Sequence, residues 1–161
     1  MPATLILDGP DATDSLARAI APRLRPSDVV GLVGGLGAGK SHFARSLILS
    51  RLNEAGRDEE VPSPSFTLVQ TYEAGGVDIW HADLYRLGSM DEIGELGLED
   101  AFGRAICIVE WADRLGSAAP SRMLTLTLDF DGDDDARRVA TIEARGSGWD
   151  WLPETVRRVA E

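Results

Sequence analysis

Residues 34–41 read Gly34-Gly35-Leu36-Gly37-Ala38-Gly39-Lys40-Ser41. The spacing is G-x-x-x-x-G-K-[ST], the pattern of a phosphate-binding P-loop. Glycines let the backbone turn sharply and bring its N–H groups close to phosphate oxygens. Upstream, Val29 to Val33 (VVGLV) reads as a short buried strand; downstream, His42 to Leu52 reads as a helix with Phe43, Leu47 and Leu52 inward. Strand, loop and helix in that order are the context the motif needs. The N-terminus of the helix adds partial positive charge at the same spot. Gly37, Ala38, Gly39, Lys40, Ser41 and His42 are therefore expected to hold a nucleotide, with Lys40 on the β- and γ-phosphates and the Ser41 hydroxyl as a ligand to Mg²⁺.

Lys40 is the only lysine in the chain; all other Lys/Arg positions are arginine. Wherever a generic cation serves, this sequence uses Arg. A P-loop wants a compact point charge on a thin stem, where a forked guanidinium would not fit.

The chain has 161 residues, 43% hydrophobic and 27% charged, which is enough for one domain with a real core, expected to span 1–161. Its net charge of −11 disfavours unaided binding to nucleic acid or to an acidic membrane surface. The single cysteine, Cys107, sits in the apolar run AICIV with no basic neighbour to activate it. It reads as a small core residue, and the lack of a disulfide pair fits a reducing, cytoplasmic setting. No signal-peptide pattern opens the sequence, and no apolar run approaches membrane-spanning length.

Thr4 to Leu7 reads as a first strand, and Asp11 or Thr13 is placed to cap a helix with Leu16, Ile20 and Leu24 inward, kinked or ended by Pro22. Phe66 to Glu73 and Val77 to Asp83, around Ala74-Gly75-Gly76, predict a β-hairpin. Ser89-Met90-Asp91-Glu92 predicts a capping box, with a break near Gly94 or Gly97. Ala105 to Val109 is a buried strand; Met123 to Phe130 and Arg138 to Ala144 alternate as a second hairpin; Pro153 opens a last helix. The sum is an α/β fold: a three-layer P-loop NTPase domain with a mixed central sheet and a C-terminal β-hairpin.

In open α/β sheets, ligands bind beyond the carboxyl ends of the strands. Two apolar strands here end in an acid, Asp83 after VDIWHA and Glu110 after AICIV. Glu110 is assigned to Mg²⁺, directly or through water, and Asp83 to orienting or deprotonating an attacking water, with the roles exchangeable. Each acid could instead cap the turn that follows it. Ser63-Pro64-Ser65-Phe66-Thr67 sits where P-loop proteins carry a γ-phosphate switch, or is simply a stiff proline loop. Arg137 could reach the nucleotide or balance Asp133 to Asp135. His81 is read as a strand residue packing on a neighbour, and Trp111 as a stacking residue or a core residue.

LVGGLGAGKSHFAR, SPSFTLVQTYE, HADLYRL and ICIVEW, in this order and at these spacings, resemble the TsaE family (formerly YjeE), the bacterial ATPases of tRNA threonylcarbamoyladenosine (t6A) synthesis. The similarity runs from about Thr13 to Arg138. It implies ATP/ADP and Mg²⁺ as ligands, with hydrolysis that resets a TsaD-like threonylcarbamoyl transferase and its TsaB-like paralogue, tRNA being met only through those partners. It matches Lys40 and Ser41 to the phosphate and metal positions and Asp83 and Glu110 to the family's essential acids. Ser65 and Thr67 match the switch-like loop, Thr13 a position near the base, and Arg137 a nucleotide-contacting arginine. Gly35 stands where the family usually has Asp, Ser41 and Ser65 where it has Thr, and Ala82 where it has Phe.

A GTPase would need an Asn-Lys-x-Asp segment, impossible with one lysine. A small-molecule kinase of the P-loop class is the alternative enzyme; it would need an acceptor pocket and an arginine-rich lid. A nucleotide-gated binding module without hydrolysis is the third possibility.

Overall fold

The computed structural model describes residues 2–64, 67–132 and 134–161. Its elements run β1 (Ala3–Leu7), α1 (Pro10–Ile20), β2 (Val29–Val33), α2 (Lys40–Glu54), β3 (Val69–Ala74), β4 (Val77–Asp83) and α3 (Met90–Leu96). They continue α4 (Leu98–Phe102), β5 (Ile106–Glu110), β6 (Met123–Asp131), β7 (Asp134–Arg145) and α5 (Leu152–Ala160). The described strands form one seven-stranded sheet in the order β1-β7-β6-β2-β5-β4-β3. Strands β6, β2, β5 and β4 run parallel in its middle, and antiparallel strands flank them on both sides. The sheet is mixed for a local reason: two-residue glycine turns can only reverse a strand, while the parallel neighbours arrive through helical crossovers.

Side chains alternate across each strand, so each contributes to two cores. Ile79 of β4 and Ile106 and Ile108 of β5 join the cluster that packs α1, α2 and α5 on one face. Ala82, Cys107 and Val109 join the other, under α3, α4 and the 3₁₀ segment Ala112–Ala118. The result is three layers, as expected. Phe43, Leu47 and Leu52 of α2 are fully buried, each worth roughly 1.5–3 kcal/mol by area removed from water.

Local departures have identifiable causes. Helix α1 begins at Pro10 with Gly9 as its cap and no side-chain cap, so neither Asp11 nor Thr13 caps it. Proline at the first helical position needs no N–H partner and presets φ, which moves the start upstream of both. The helix gives way to a 3₁₀ turn over Ala21–Arg23 at Pro22, as the ring requires. Ser89 precedes α3, yet its side chain makes no capping bond, and Glu92 accepts the N–H of Gly88 at 3.1 Å instead. The first hairpin turns on Gly75-Gly76, both with positive φ, but β3 starts at Val69, later than expected. Ser65 and Phe66 lie outside the described residues, and the switch reading of Ser65 with them.

Candidate active site

Strand β2 ends at Val33 and the chain turns through residues 34–39 into α2. Gly34 has φ +153, and a Cβ there would lie 2.5 Å from the backbone oxygen of Leu128 on β6. Only glycine lets the loop leave the sheet so close to its neighbour. The register then brings the acids in: Leu32 pairs with Glu110 across β2 and β5, and Glu110 with Asp83 across β5 and β4. Because Ile106, Ile108 and Glu110 share one face of β5, and Ile79, His81 and Asp83 one face of β4, all three polar side chains point to the α2 side.

A cleft of about 270 Å³ results, lined by Gly37, Gly39, Lys40, Ser41, His42, Asp83 and Glu110, with Leu36, Tyr85 and Trp111 at its rim. Ser41 Oγ donates to Glu110 Oε1 at 2.6 Å. Glu110 Oε2 lies 2.6 Å from His81 Nε2, and both residues are buried. His81 thus does more than pack on a neighbour; it is a polar partner of the candidate metal ligand. No local signal marks this role, because the contact is a diagonal one across β4 and β5, set by strand register.

Lys40 is 5% exposed, and its Nζ donates to Gly34 O at 2.8 Å and Gly35 O at 2.7 Å. The ammonium also sits 4.3 Å from the centre of the Trp111 ring, a cation–π contact. Burial pulls its pKa below the usual lysine value, opposed by the nearby carboxylates of Glu110, Asp83 and Asp113. Trp111 is held in a left-handed conformation, φ 58 and ψ 44, immediately after Glu110. Such a backbone is uncommon for a bulky residue and marks a position over-determined by its surroundings. Its ring packs on Tyr85 at 4.9 Å between centroids. Asp83 Oδ1 accepts the N–H of Tyr85 at 3.0 Å, so this acid does serve the turn after it while lining the cleft.

A second cavity of about 330 Å³ adjoins the first through Gly39 and His42. Gly9, Pro10 and Thr13 of the α1 end form one wall, and Asp135, Ala136 and Arg138 of β7 the other. Thr13 is buried here. His42 Nε2 lies 2.8 Å from Asp14 Oδ1, out of line for a hydrogen bond. Together the two cavities make one slot with a polar end at the P-loop and a more apolar end beyond it.

Arg137 is not among the residues lining either cavity; its Nε lies 3.4 Å from both Asp8 and Asp131. The arginine at the slot is Arg138, whose Nε donates to Ala38 O at 3.1 Å and Nη2 to Gly37 O at 3.2 Å. The strand's alternation explains the exchange: Arg138 shares a face with the core residues Ala140 and Ile142, and Arg137 takes the opposite one. Thr67 is exposed and accepts a bond from Gln70 at 2.9 Å; it does not line the cleft. Cys107 is buried, as read, and burial pushes its thiol up to about 12.

An all-oxygen set of one hydroxyl and one or two carboxylates beside a phosphate loop suits a hard divalent cation such as Mg²⁺. Ser41 and Glu110, already in contact, are the residues that fit it.

The family described as "Threonylcarbamoyl adenosine biosynthesis protein TsaE" matches residues 7–139. The tRNA threonylcarbamoyladenosine biosynthesis protein TsaE of Rickettsia felis is 36% identical over 143 residues, 89% of this chain and 81% of that protein. Its counterpart in Bacillus subtilis is 34% identical over 150 residues, 92% of this chain and 90% of that protein. The crystal structure of Bacillus subtilis YdiB superposes with a TM-score of 0.72 at 26% identity, covering 99% of this chain and 94% of that one. The P-loop, the two acids at paired strand ends and the four sequence blocks all fall within the matched range, and the chain belongs to the TsaE family.

Proposed function

We propose that this protein binds ATP with Mg²⁺ and hydrolyses it in the service of t6A modification of tRNA, acting on a TsaD-like threonylcarbamoyl transferase and its TsaB-like paralogue. The observation that carries the reading is one cleft that holds the lone lysine, the Ser41 hydroxyl and both strand-end acids. The P-loop amides and Lys40 would bind the β- and γ-phosphates. Ser41 and Glu110 would hold Mg²⁺, which supplies neutralising charge to the phosphates when bound. Asp83, at the neighbouring strand end, would orient the water that attacks the γ-phosphorus, breaking the bond to the bridging oxygen and leaving ADP and phosphate. The slot between Thr13 and Arg138 would take the base. Leu36 is 66% and Tyr85 40% exposed at the cleft rim, an apolar edge that suits a protein partner covering the site. A protein that leaves tRNA to its partners needs no basic face, which agrees with the net charge of −11. No helix of the described residues is long and apolar enough to cross a membrane, and the lone cysteine suits a reducing, cytoplasmic setting.

The test pairs chemistry with pathway. Glu110→Gln is expected to keep metal-free nucleotide binding, to lose most of the tightening by Mg²⁺, and to lower partner-stimulated ATP hydrolysis by about 100-fold or more, the range for removing a group that acts on the transition state. Depleting the protein from cells is expected to remove t6A from tRNA, read by mass spectrometry of digested nucleosides. Normal turnover by Glu110→Gln, or unchanged t6A after depletion, would overturn the proposal.

A further inference from the structure

Glu110 is engaged on both oxygens: Oε1 accepts from Ser41 Oγ and Oε2 faces His81 Nε2, each at 2.6 Å. The His81 and Glu110 side chains are 1% and 2% exposed, so water does not compete for this contact. The other ring nitrogen, Nδ1, is buried with no hydrogen-bond partner among the described residues. Glu110 is therefore the imidazole's polar anchor. An ionised carboxylate only accepts, so the ring donates through Nε2–H. The backbone that carries His81 is held in place: β4 is paired on both sides, with β3 antiparallel and β5 parallel. Its register opposite Ile108 sets the imidazole diagonal to Glu110, one pleat further along β5.

A Glu side chain ends in a soft torsion that lets the carboxylate plane swing. Ser41 alone fixes one oxygen and leaves that swing open. We infer that His81 is a positioning residue: its Nε2–H pins Glu110 Oε2 so that Oε1 stays turned to the Ser41 hydroxyl, making one preset oxygen pair for the divalent ion that accompanies the nucleotide. The inference deepens the proposed function and rests on it. Outer partners of this kind orient a ligand before the ion arrives, and their loss typically costs 10–100-fold in metal affinity or activity.

The chemistry gives a discriminating set of variants. Glutamine carries its amide nitrogen where histidine carries Nε2; asparagine carries its own where histidine carries Nδ1; leucine fills the volume with no donor. The readout is the affinity of fluorescent mant-ADP with and without Mg²⁺, alongside partner-stimulated ATPase. In the wild type, Mg²⁺ is expected to tighten mant-ADP. In His81→Leu and His81→Asn that tightening should fall by about tenfold or more, with metal-free affinity within about twofold of wild type. His81→Gln should recover most of it. A merely structural histidine would lower both affinities together, or would leave the Mg²⁺ dependence alone. Full tightening in His81→Leu, or equal loss in the Gln and Asn variants, would overturn the inference. If the leucine variant does not fold, judged by its thermal melt, the Gln and Asn pair decides by the same criterion. Failure of the underlying function is distinguishable, because then the wild type itself would show no mant-ADP binding.

Discussion

At the amino ends of the parallel strands, Asp28 is 3% exposed, lies 2.6 Å from Arg122 Nη1 and accepts the N–H of Arg25 at 2.8 Å. Arg122 in turn lies 4.4 Å from the centre of the Trp149 ring. At the carboxyl ends, Asp83 and Glu110 flank a single lysine whose Nζ donates to two backbone carbonyls. The first cluster matches one buried anion with one cation from the same chain. The second gathers two acids beside one ammonium at an open cleft, with Ser41 and His81 on Glu110 and the Tyr85 N–H on Asp83. Burying charge costs several kcal/mol per ion unless partners are supplied. The amino edge closes its charges among buried side chains, while the carboxyl edge sets its charges around the cleft in which the proposed nucleotide would sit.

The contrast predicts a double dissociation, which has the largest expected effect. Lys40→Ala should weaken nucleotide binding by about 100-fold or more, as loss of a buried charge partner costs roughly 2–5 kcal/mol, while leaving the urea midpoint close to wild type. Asp28→Ala should do the reverse. It leaves the Arg25 N–H and Arg122 without their acceptor, and should cost about 2–3 kcal/mol of stability with nucleotide affinity unchanged. Urea melts and mant-nucleotide titrations on both variants check this; if the two effects trade places, the comparison between the edges is broken.

A smaller effect sharpens the carboxyl edge. Arg138→Ala removes the bonds to Gly37 O and Ala38 O that brace the P-loop, and should weaken nucleotide binding about 5–13-fold, consistent with a net ~1–1.5 kcal/mol for bonds of this kind. Arg137→Ala should stay within twofold. The opposite order would favour the arginine that family resemblance indicates.

The smallest effect probes the sheet between the edges. Burial holds the Cys107 thiol protonated up to about 12, whereas an unfolded thiol ionises near ~8.5. The folded state therefore binds the extra proton between those values, and stability should fall as pH rises from about 9 towards 12. Urea midpoints should drop more steeply over that range for wild type than for Cys107→Ala, and iodoacetamide should label the native protein only after unfolding.

Much of this architecture is legible in local sequence because its signals are local. VVGLV and ICIVE are buried on both faces, as a covered parallel strand requires, and each hands over directly to residues that line the cleft. Glycine pairs and prolines punctuate the rest. What escapes is whatever depends on two distant segments meeting. His81 looks like any strand residue until β4 is registered on β5. The choice between Arg137 and Arg138 follows from which face of β7 meets α1, although the spacing to Ala140 and Ile142 held that information. The start of α1 differs from the one Asp11 and Thr13 suggest because Pro10 competes with them for it, and its fixed φ wins.

The bond between Ser41 and Glu110 spans 69 positions of sequence. Closing so long a segment is entropically unfavourable and comes late, after nearer contacts have formed. A half-assembled chain therefore lacks the Ser41–Glu110 pair, and a ligand that needs the proposed site complete would select molecules whose central strands have already zipped. Nucleotide should then act as a folding sink, raising the melting point in proportion to the logarithm of its concentration and making ligand retention a direct readout of how much newly made chain has finished folding.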